Sequence, residues 1–196
     1  MSPSINLKDF EQDLAHFDTL MPFKVKDILL VSSLYDIYNL REDGQLANLV
    51  MSEYAELRLS SAPRIRRVDS GKSALEALKD TKFDLIIVFR SPSDIDPVEF
   101  RKLAKKACPE IPVVLLAFHH RELEIIRDRE DTSYDNVFFW SGESKILLTI
   151  IKFIEDRMNV ESDTEAIGVR VIILVENSVR YYSSFLPLIY TETMQQ

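Results

Sequence analysis

The chain has 196 residues, of which 46% are hydrophobic and 29% are charged, and its net charge is −8. This length fits one α/β domain with some residues to spare. The acidic balance argues against general binding to nucleic acids or anionic membranes, because phosphate groups would be repelled, and the single cysteine, Cys108, excludes an internal disulfide framework and a cysteine-built zinc site.

Residues 1–24 predict a helix ahead of the first strand. Leu7, Phe10 and Leu14 recur at helical spacing, and Pro22 closes the pattern. The same stretch lacks the basic region and following apolar run of a signal peptide. No apolar run in the chain approaches the roughly 20 residues that span a bilayer, so we expect a cytoplasmic protein with no membrane partner.

Five short segments predict the strands of a buried sheet. They are VKDILLV (25–31), RIRRV (64–68), FDLIIVF (83–89), IPVVLLAF (111–118) and NVFFW (136–140). Most are nearly all apolar, as is typical of parallel strands covered on both faces, whereas the charged RIRRV is expected at an edge. Helical patterns separate the strands, and the last is ESKILLTIIKFIEDRM (143–158). The alternation predicts a three-layer, flavodoxin-like α/β domain over residues 25–158, with a doubly wound five-stranded parallel sheet.

The residues after this domain predict a linker and the start of a second unit. Residues 159–168 are polar and end in glycine, and VRVIILV (169–175) predicts a further apolar strand. VRVIILVENS has the same design as VKDILLVSS, which suggests that a second unit of the same kind begins near Val169 and is cut short at Gln196. Because an uncovered apolar strand should pair with a sheet edge or a second copy, we expect a homodimer through residues 169–196.

The order and spacing of these segments resemble the receiver domain of response regulators, the family typified by CheY. RRVDSGKSALEALKDTKFDLIIV is similar to the second strand, second helix and third strand of a receiver. PVVLLAF is similar to the fourth strand, and NVFFWSGESKILLTII to the fifth strand and last helix. The resemblance implies the CheY-like fold and a role in signal transduction.

A working receiver uses five side chains at the strand ends. The resemblance implies an acidic pair that holds Mg²⁺, an aspartate that accepts the phosphoryl group, and a Ser or Thr and a Lys that bind the phosphate. At the matching positions this chain has Ser32, Ser33, Phe89, Ala117 and Trp140. Two hydroxyls alone cannot gather a divalent ion, and a phenyl ring has no nucleophilic oxygen. We therefore expect a non-catalytic pseudo-receiver without phosphoacceptor, metal or cofactor.

A second resemblance covers nearly the whole chain. LMPFKVKDILLVSSLYD, EDGQL, IEDRMNV and GVRVIILVENSVRYYSSFLPLIYTE are similar to the N-terminal region of multidomain proteins of the phosphoenolpyruvate synthase or pyruvate phosphate dikinase-like family. In that family one or two receiver-like domains precede a nucleotide- and phosphoenolpyruvate-binding portion. The resemblance implies a regulatory or docking module of a phosphotransfer protein, since the catalytic motifs of that enzyme class are not in these residues.

The leading hypothesis is a regulatory or protein-interaction module. Its partner would be another protein or further domains of the same chain. The expected interaction face lies near the end of the last strand, at Phe138, Phe139 and Trp140.

Two alternatives stay open. The chain could be a small-molecule or nucleotide sensor that uses the crevice at the strand ends. That crevice would be lined with the hydroxyls of Ser32, Ser33, Ser91 and Ser141. The other alternative is a phosphorylatable receiver with an atypical acceptor residue.

Overall fold

The structure is a computed structural model that describes residues 20–32, 46–59, 61–89, 94–127, 134–168 and 170–195. The predicted N-terminal helix lies almost entirely outside the described residues. Its expected last residues, 20–24, belong to a segment without regular secondary structure that leads into the first strand.

Five parallel strands form one sheet in the order β2-β1-β3-β4-β5. The strands are β1 (Asp27–Val31), β2 (Arg64–Val68), β3 (Leu85–Phe89), β4 (Val113–Ala117) and β5 (Asn136–Phe139). The predicted parallel sheet, its five strands and the edge position of RIRRV are confirmed. This strand order is that of the flavodoxin-like fold.

Helices cover both faces of the sheet. They are α1 (Leu46–Glu56), α2 (Gly71–Asp80), α3 (Pro97–Ala107), α4 (His120–Arg127), α5 (Lys145–Ile167) and α6 (Val179–Gln195). The core on one face joins the strands to α1, α5 and α6, and the core on the other joins them to α2 and α3. The arrangement is the predicted three-layer sandwich.

Helix α5 is longer than the sequence predicted. It runs for 23 residues to Ile167, and it is capped by Gly168, whose φ of 65° is left-handed. The segment 159–168, which we expected to be a linker, is therefore helical as far as Ile167. The segment is polar because most of this part of the helix faces solvent, and not because it is a linker; Asn159 within it is buried.

The C-terminal half of α5 holds the irregular segment that leads into β1, in which Met21 has a left-handed φ of 52°. Alternate backbone N–H groups of that segment donate to side-chain oxygens four residues apart on the helix: Met21 to Asp163 (3.0 Å), Phe23 to Asn159 (2.8 Å) and Val25 to Glu155 (2.9 Å). Two extended residues advance about 6.6 Å and four helical residues about 6.0 Å. Because the two repeats nearly match, one helix face can satisfy three consecutive inward-pointing N–H groups.

The C-terminal residues correct another prediction. We expected a strand at 169–175. The described residues of that range, 170–175, form neither helix nor strand, and the same holds as far as residue 178. Helix α6 instead packs across β5, where the N–H of Phe139 donates to Ser183 Oγ at 2.8 Å. The β-branched run VRVIILV has strand propensity, but α6 already covers the β5 edge that it would need.

Replacing Asn159 tests the bonds between α5 and the segment before β1. The Asn159 side-chain amide accepts a hydrogen bond from the N–H of Phe23 and donates one to the carbonyl of Phe23, both at 2.8 Å. Asn159→Ala leaves both backbone groups unpaired and should lower the free energy of unfolding by about 1–3 kcal/mol. Urea denaturation measures this change. The control Ser162→Ala removes only a hydroxyl bonded to the carbonyl of Asn159, and equal losses in the two variants would contradict the interpretation.

Candidate functional site

The carboxyl ends of four strands meet at one edge of the sheet. Val31 pairs with Val88, Phe89 with Leu116, and Ala117 with Phe139. The N–H of Trp140 donates to the carbonyl of Ala117 at 2.8 Å, which continues the register past the end of β5. This edge therefore gathers four of the predicted site residues, Ser32, Phe89, Ala117 and Trp140. Ser33 lies outside the described residues.

Aromatic rings fill the middle of this edge. Phe89 is only 2% exposed, and the Phe118 ring packs against it edge-on with 5.6 Å between ring centroids. The indole of Trp140 lies 5.9 Å from the Phe118 ring. We call Phe89, Phe118 and Trp140 the strand-end aromatic cluster. Phe118 was missed as a site residue, although its position directly after a buried strand was a usable signal.

Ser32 forms hydrogen bonds through its backbone groups rather than through its hydroxyl. It is 2% exposed, its N–H donates to the carbonyl of Val68 at 2.9 Å, and its own carbonyl accepts from Arg67 Nη1 at 3.1 Å. Its Oγ finds no hydrogen-bond partner among the described residues. Ser141, by contrast, is exposed. In the part of the chain that the structure describes, no three His, Cys, Asp or Glu side chains are grouped to hold a metal ion.

One carboxylate near this edge has a structural task. Asp94 accepts the N–H groups of Gly71 and Lys72 at 2.9 and 3.0 Å, and so caps the start of α2. Burial opposes ionisation of Asp94, but these backbone hydrogen bonds outweigh it and lower the pKa of the carboxyl. Gly71 is needed here because a Cβ would run into Ile95. Both oxygens of Asp94 are thus committed to the helix cap.

The predicted interaction face needs correction at Phe138. Phe138 is fully buried, and the rings of Phe153 and Tyr182 pack on it at centroid distances of 5.7 and 5.5 Å. Burial raises the pKa of Tyr182 to about 12, although Arg157 acts in the opposite direction, so the phenol is neutral at physiological pH. A partner cannot touch Phe138 while α6 is in place.

The other two members of that predicted face are partly buried. The ring of Phe139 stacks on His120 with 5.0 Å between centroids. Trp140 belongs to the strand-end aromatic cluster. At this end of β5, Phe139 and Trp140 are therefore partly accessible to a partner, whereas α6 covers Phe138.

Several solved structures resemble this chain, whereas no protein-family model and no curated protein matches it. A CheY-like receiver domain protein from Methanospirillum hungatei JF-1 has 15% sequence identity and a TM-score of 0.52, with 70% of this chain and 99% of that chain covered. A two-component response regulator from Clostridium difficile has 19% identity and a TM-score of 0.52, with 68% and 98% covered. CheY4, a chemotaxis response regulator of Vibrio cholerae, has 14% identity and a TM-score of 0.50, with 67% and 99% covered.

At these identities the likeness establishes the fold. The chain has the flavodoxin-like fold of CheY-like receiver domains, as the sequence predicted. A separate observation concerns membranes: among the described helices, none combines the length and apolarity needed to cross a bilayer.

Truncating Phe89 tests the packing of the strand-end aromatic cluster. Phe89→Ala should lower the free energy of unfolding by about 3–5 kcal/mol, because it opens a cavity among buried rings. Trp140, the single tryptophan, should shift its emission to longer wavelength as water approaches. Phe89→Leu keeps most of the apolar volume and should show smaller changes in both measurements. Unchanged stability in Phe89→Ala would mean that the ring is not packed as described.

Proposed function

We propose that this chain is a non-catalytic regulatory or interaction module that uses a receiver fold without the phosphorylation switch. The receiver fold itself suggests a signalling role. The observation that carries the finer proposal is the buried phenyl ring of Phe89 at the strand end where a receiver has its phosphoacceptor. The predicted cytoplasmic location is part of this proposal.

The chemistry of the strand-end edge supports this proposal. An acyl phosphate forms only on a carboxylate, and Phe89 offers none. A phosphoryl group placed against Phe89, Phe118 and Trp140 would lose its hydration without gaining a cation, and the two phenyl rings offer it no hydrogen-bond donor. Ser32 is a poor substitute acceptor, because it is 2% exposed and a hydroxyl needs an adjacent base to become nucleophilic.

The resemblance to the phosphoenolpyruvate synthase-like family supports the wider context of the proposal. In such a protein this module would act on further domains of the same chain or on a protein partner. The similarity between VKDILLVSS and VRVIILVENS supports a second receiver-like unit from about residue 169. Helix α6, which packs on β5 through Ser183, would then be the point where the two units meet.

A phosphorylation experiment tests the central proposal. The protein is incubated with acetyl phosphate and Mg²⁺, and separately with beryllofluoride and Mg²⁺, beside a conventional receiver as positive control. We expect no phosphate adduct by intact mass and no Mg²⁺-dependent change in Trp140 fluorescence. A phosphoaspartate in this chain, or a saturable fluorescence change that requires Mg²⁺, would show that an atypical acceptor is at work.

A second part of the proposal concerns self-association. Seven of the eleven large hydrophobic residues exposed in the described chain lie between residues 171 and 188: Val171, Ile172, Ile173, Val175, Tyr181, Phe185 and Leu188. We call these the C-terminal apolar surface. Their exposed fractions run from 48% to 89%, so they leave a broad apolar area open, whereas each partner gives ~800 Å² to a standard interface. This area supports a homodimer in which a second copy covers the surface.

Charge gives the dimer a distinctive salt dependence. Each copy carries a net charge of −8, so like charges oppose association and salt should strengthen it by screening them. Ile173 is 81% exposed and Val175 is 89% exposed, so neither contributes much to the fold.

Sedimentation velocity at low and high salt tests the dimer. The double variant Ile173→Asp/Val175→Asp should be monomeric and should still unfold cooperatively, at a temperature that no longer depends on protein concentration. Met51→Asp is the matched control, because Met51 is a 59% exposed residue on α1, away from the C-terminal apolar surface, and this variant should still dimerise. A wild-type protein that is monomeric at every salt concentration would refute the dimer and leave the phosphorylation proposal untouched.

A further inference from the structure

The amino-terminal edge of the sheet, opposite the strand-end aromatic cluster, contains an open cleft of about 410 Å³. The residues before β1 and β2 form its rim, and α1 and α5 close its back. Its size falls in the range of small-molecule sites, about 300–1,000 Å³. We call it the amino-edge cleft.

The acidic side chains at this edge are already engaged. Both oxygens of Glu155 accept hydrogen bonds, one from the N–H of Val25 at 2.9 Å and the other from Lys152 Nζ at 2.7 Å. Both oxygens of Asp27 accept from the guanidinium of Arg64, at 2.8 and 2.7 Å. These two carboxylates are therefore compensated from within the fold.

A third carboxylate at this edge is also committed. One oxygen of Asp84 accepts the backbone N–H groups of Lys26 and Asp27, at 2.8 and 2.9 Å. Asp84 thus joins the start of β3 to the start of β1 through the main chain, and it is not among the residues that line the cleft.

Two lysines at the rim of the cleft, Lys24 and Lys26, are less fully engaged. Lys24 and Lys26 are exposed and flank the buried Val25, so they lie on the same side of the extended segment. Within the described residues, neither ammonium has a hydrogen-bond or ion-pair partner. Lys152 adds a third cation, whose ammonium is paired with Glu155 at 2.7 Å and lies 5.5 Å from the centroid of the Tyr54 ring; its side chain is 15% exposed.

The back of the cleft is apolar. Tyr54 is 4% exposed, and Leu59, Ala62 and Pro63 complete the wall. Burial, reinforced by the nearby Glu155 carboxylate, raises the pKa of the Tyr54 phenol above its ordinary value, so the ring is uncharged at physiological pH. The site combines an apolar wall with ammonium groups at its rim, in a protein whose net charge is −8.

We propose that the amino-edge cleft binds a small organic anion, with its phosphate or carboxylate groups at Lys24, Lys26 and Lys152 and its body against Tyr54 and Pro63. The proposal rests on the regulatory function above. The bound anion would be the signal to which this module responds. It relocates the sensor hypothesis from the filled strand-end edge to the opposite edge. Glu155 accepts hydrogen bonds from both Lys152 and the N–H of Val25 in the segment before β1. An anion that binds the Lys152 ammonium would therefore also change the contact between α5 and that segment.

Isothermal titration calorimetry tests the site with three separate probes: pyrophosphate, phosphoenolpyruvate and ATP. At least one should bind saturably, and more weakly as salt rises. The double variant Lys24→Gln/Lys26→Gln should weaken that binding by about tenfold or more, as expected for the loss of charge-assisted contacts. The matched control Lys102→Gln/Lys106→Gln makes the same charge change on exposed positions of α3 and should bind like the wild type.

Two results would overturn the proposal. One is no saturable binding of any probe at millimolar concentration. The other is an equal loss of binding in the two double variants, which would indicate attraction to the overall charge only. Thermal unfolding of each variant confirms that it is folded. Because the phosphorylation experiment probes the opposite edge of the sheet, a phosphorylated strand end would refute the proposed function without affecting this test.

Discussion

Side chains along the three central strands need cover on both faces of the sheet, and this need organises the whole molecule. Apart from Asp27, every residue of β1, β3 and β4 is buried. Successive side chains point to opposite faces, so Ile28 and Leu30 belong to one core while Leu29 and Val31 belong to the other. Each large side chain buried in this way contributes about 1.5–3 kcal/mol. The three layers, the helix positions and the meeting of strand ends at one edge all follow from this need to cover both faces of the sheet.

The sequence was informative wherever structure is encoded locally. Apolar runs such as LIIVF and VVLLA indicated covered parallel strands, and the charged RIRRV indicated an edge. It misled where long-range contacts decide. Residues 159–168 look like a linker, yet α5 continues through them, and its bonds to Phe23 and Met21 join residues 136 and 142 positions apart. VRVIILV has the composition of a strand, but no local pattern reveals that α6 covers the available edge.

The same distinction applies to the two candidate sites. Matching the strand ends to a receiver pattern was enough to predict that Ser32, Phe89, Ala117 and Trp140 lie at one edge of the sheet. The strand register decides which residue of each strand reaches that edge. The burial of Phe138 depends on Tyr182 from α6 and could not be read from its own neighbours in sequence. The amino-edge cleft draws on four separate stretches, around residues 24–26, 54, 59–64 and 152–155. No motif connects them, so only the folded chain reveals that they converge.

Both borders of the sheet are protected against strand pairing, by different means. On one side β2 carries Arg64, Arg66 and Arg67, whose charges discourage a further strand. On the other side α6 lies across β5, and Ser183 occupies the N–H of Phe139. A sheet protected in this way is a poor template for edge-to-edge addition of strands. The protein should therefore resist fibril growth at high concentration, and any assembly that it forms through side-chain surfaces should stay finite and dissolve on dilution.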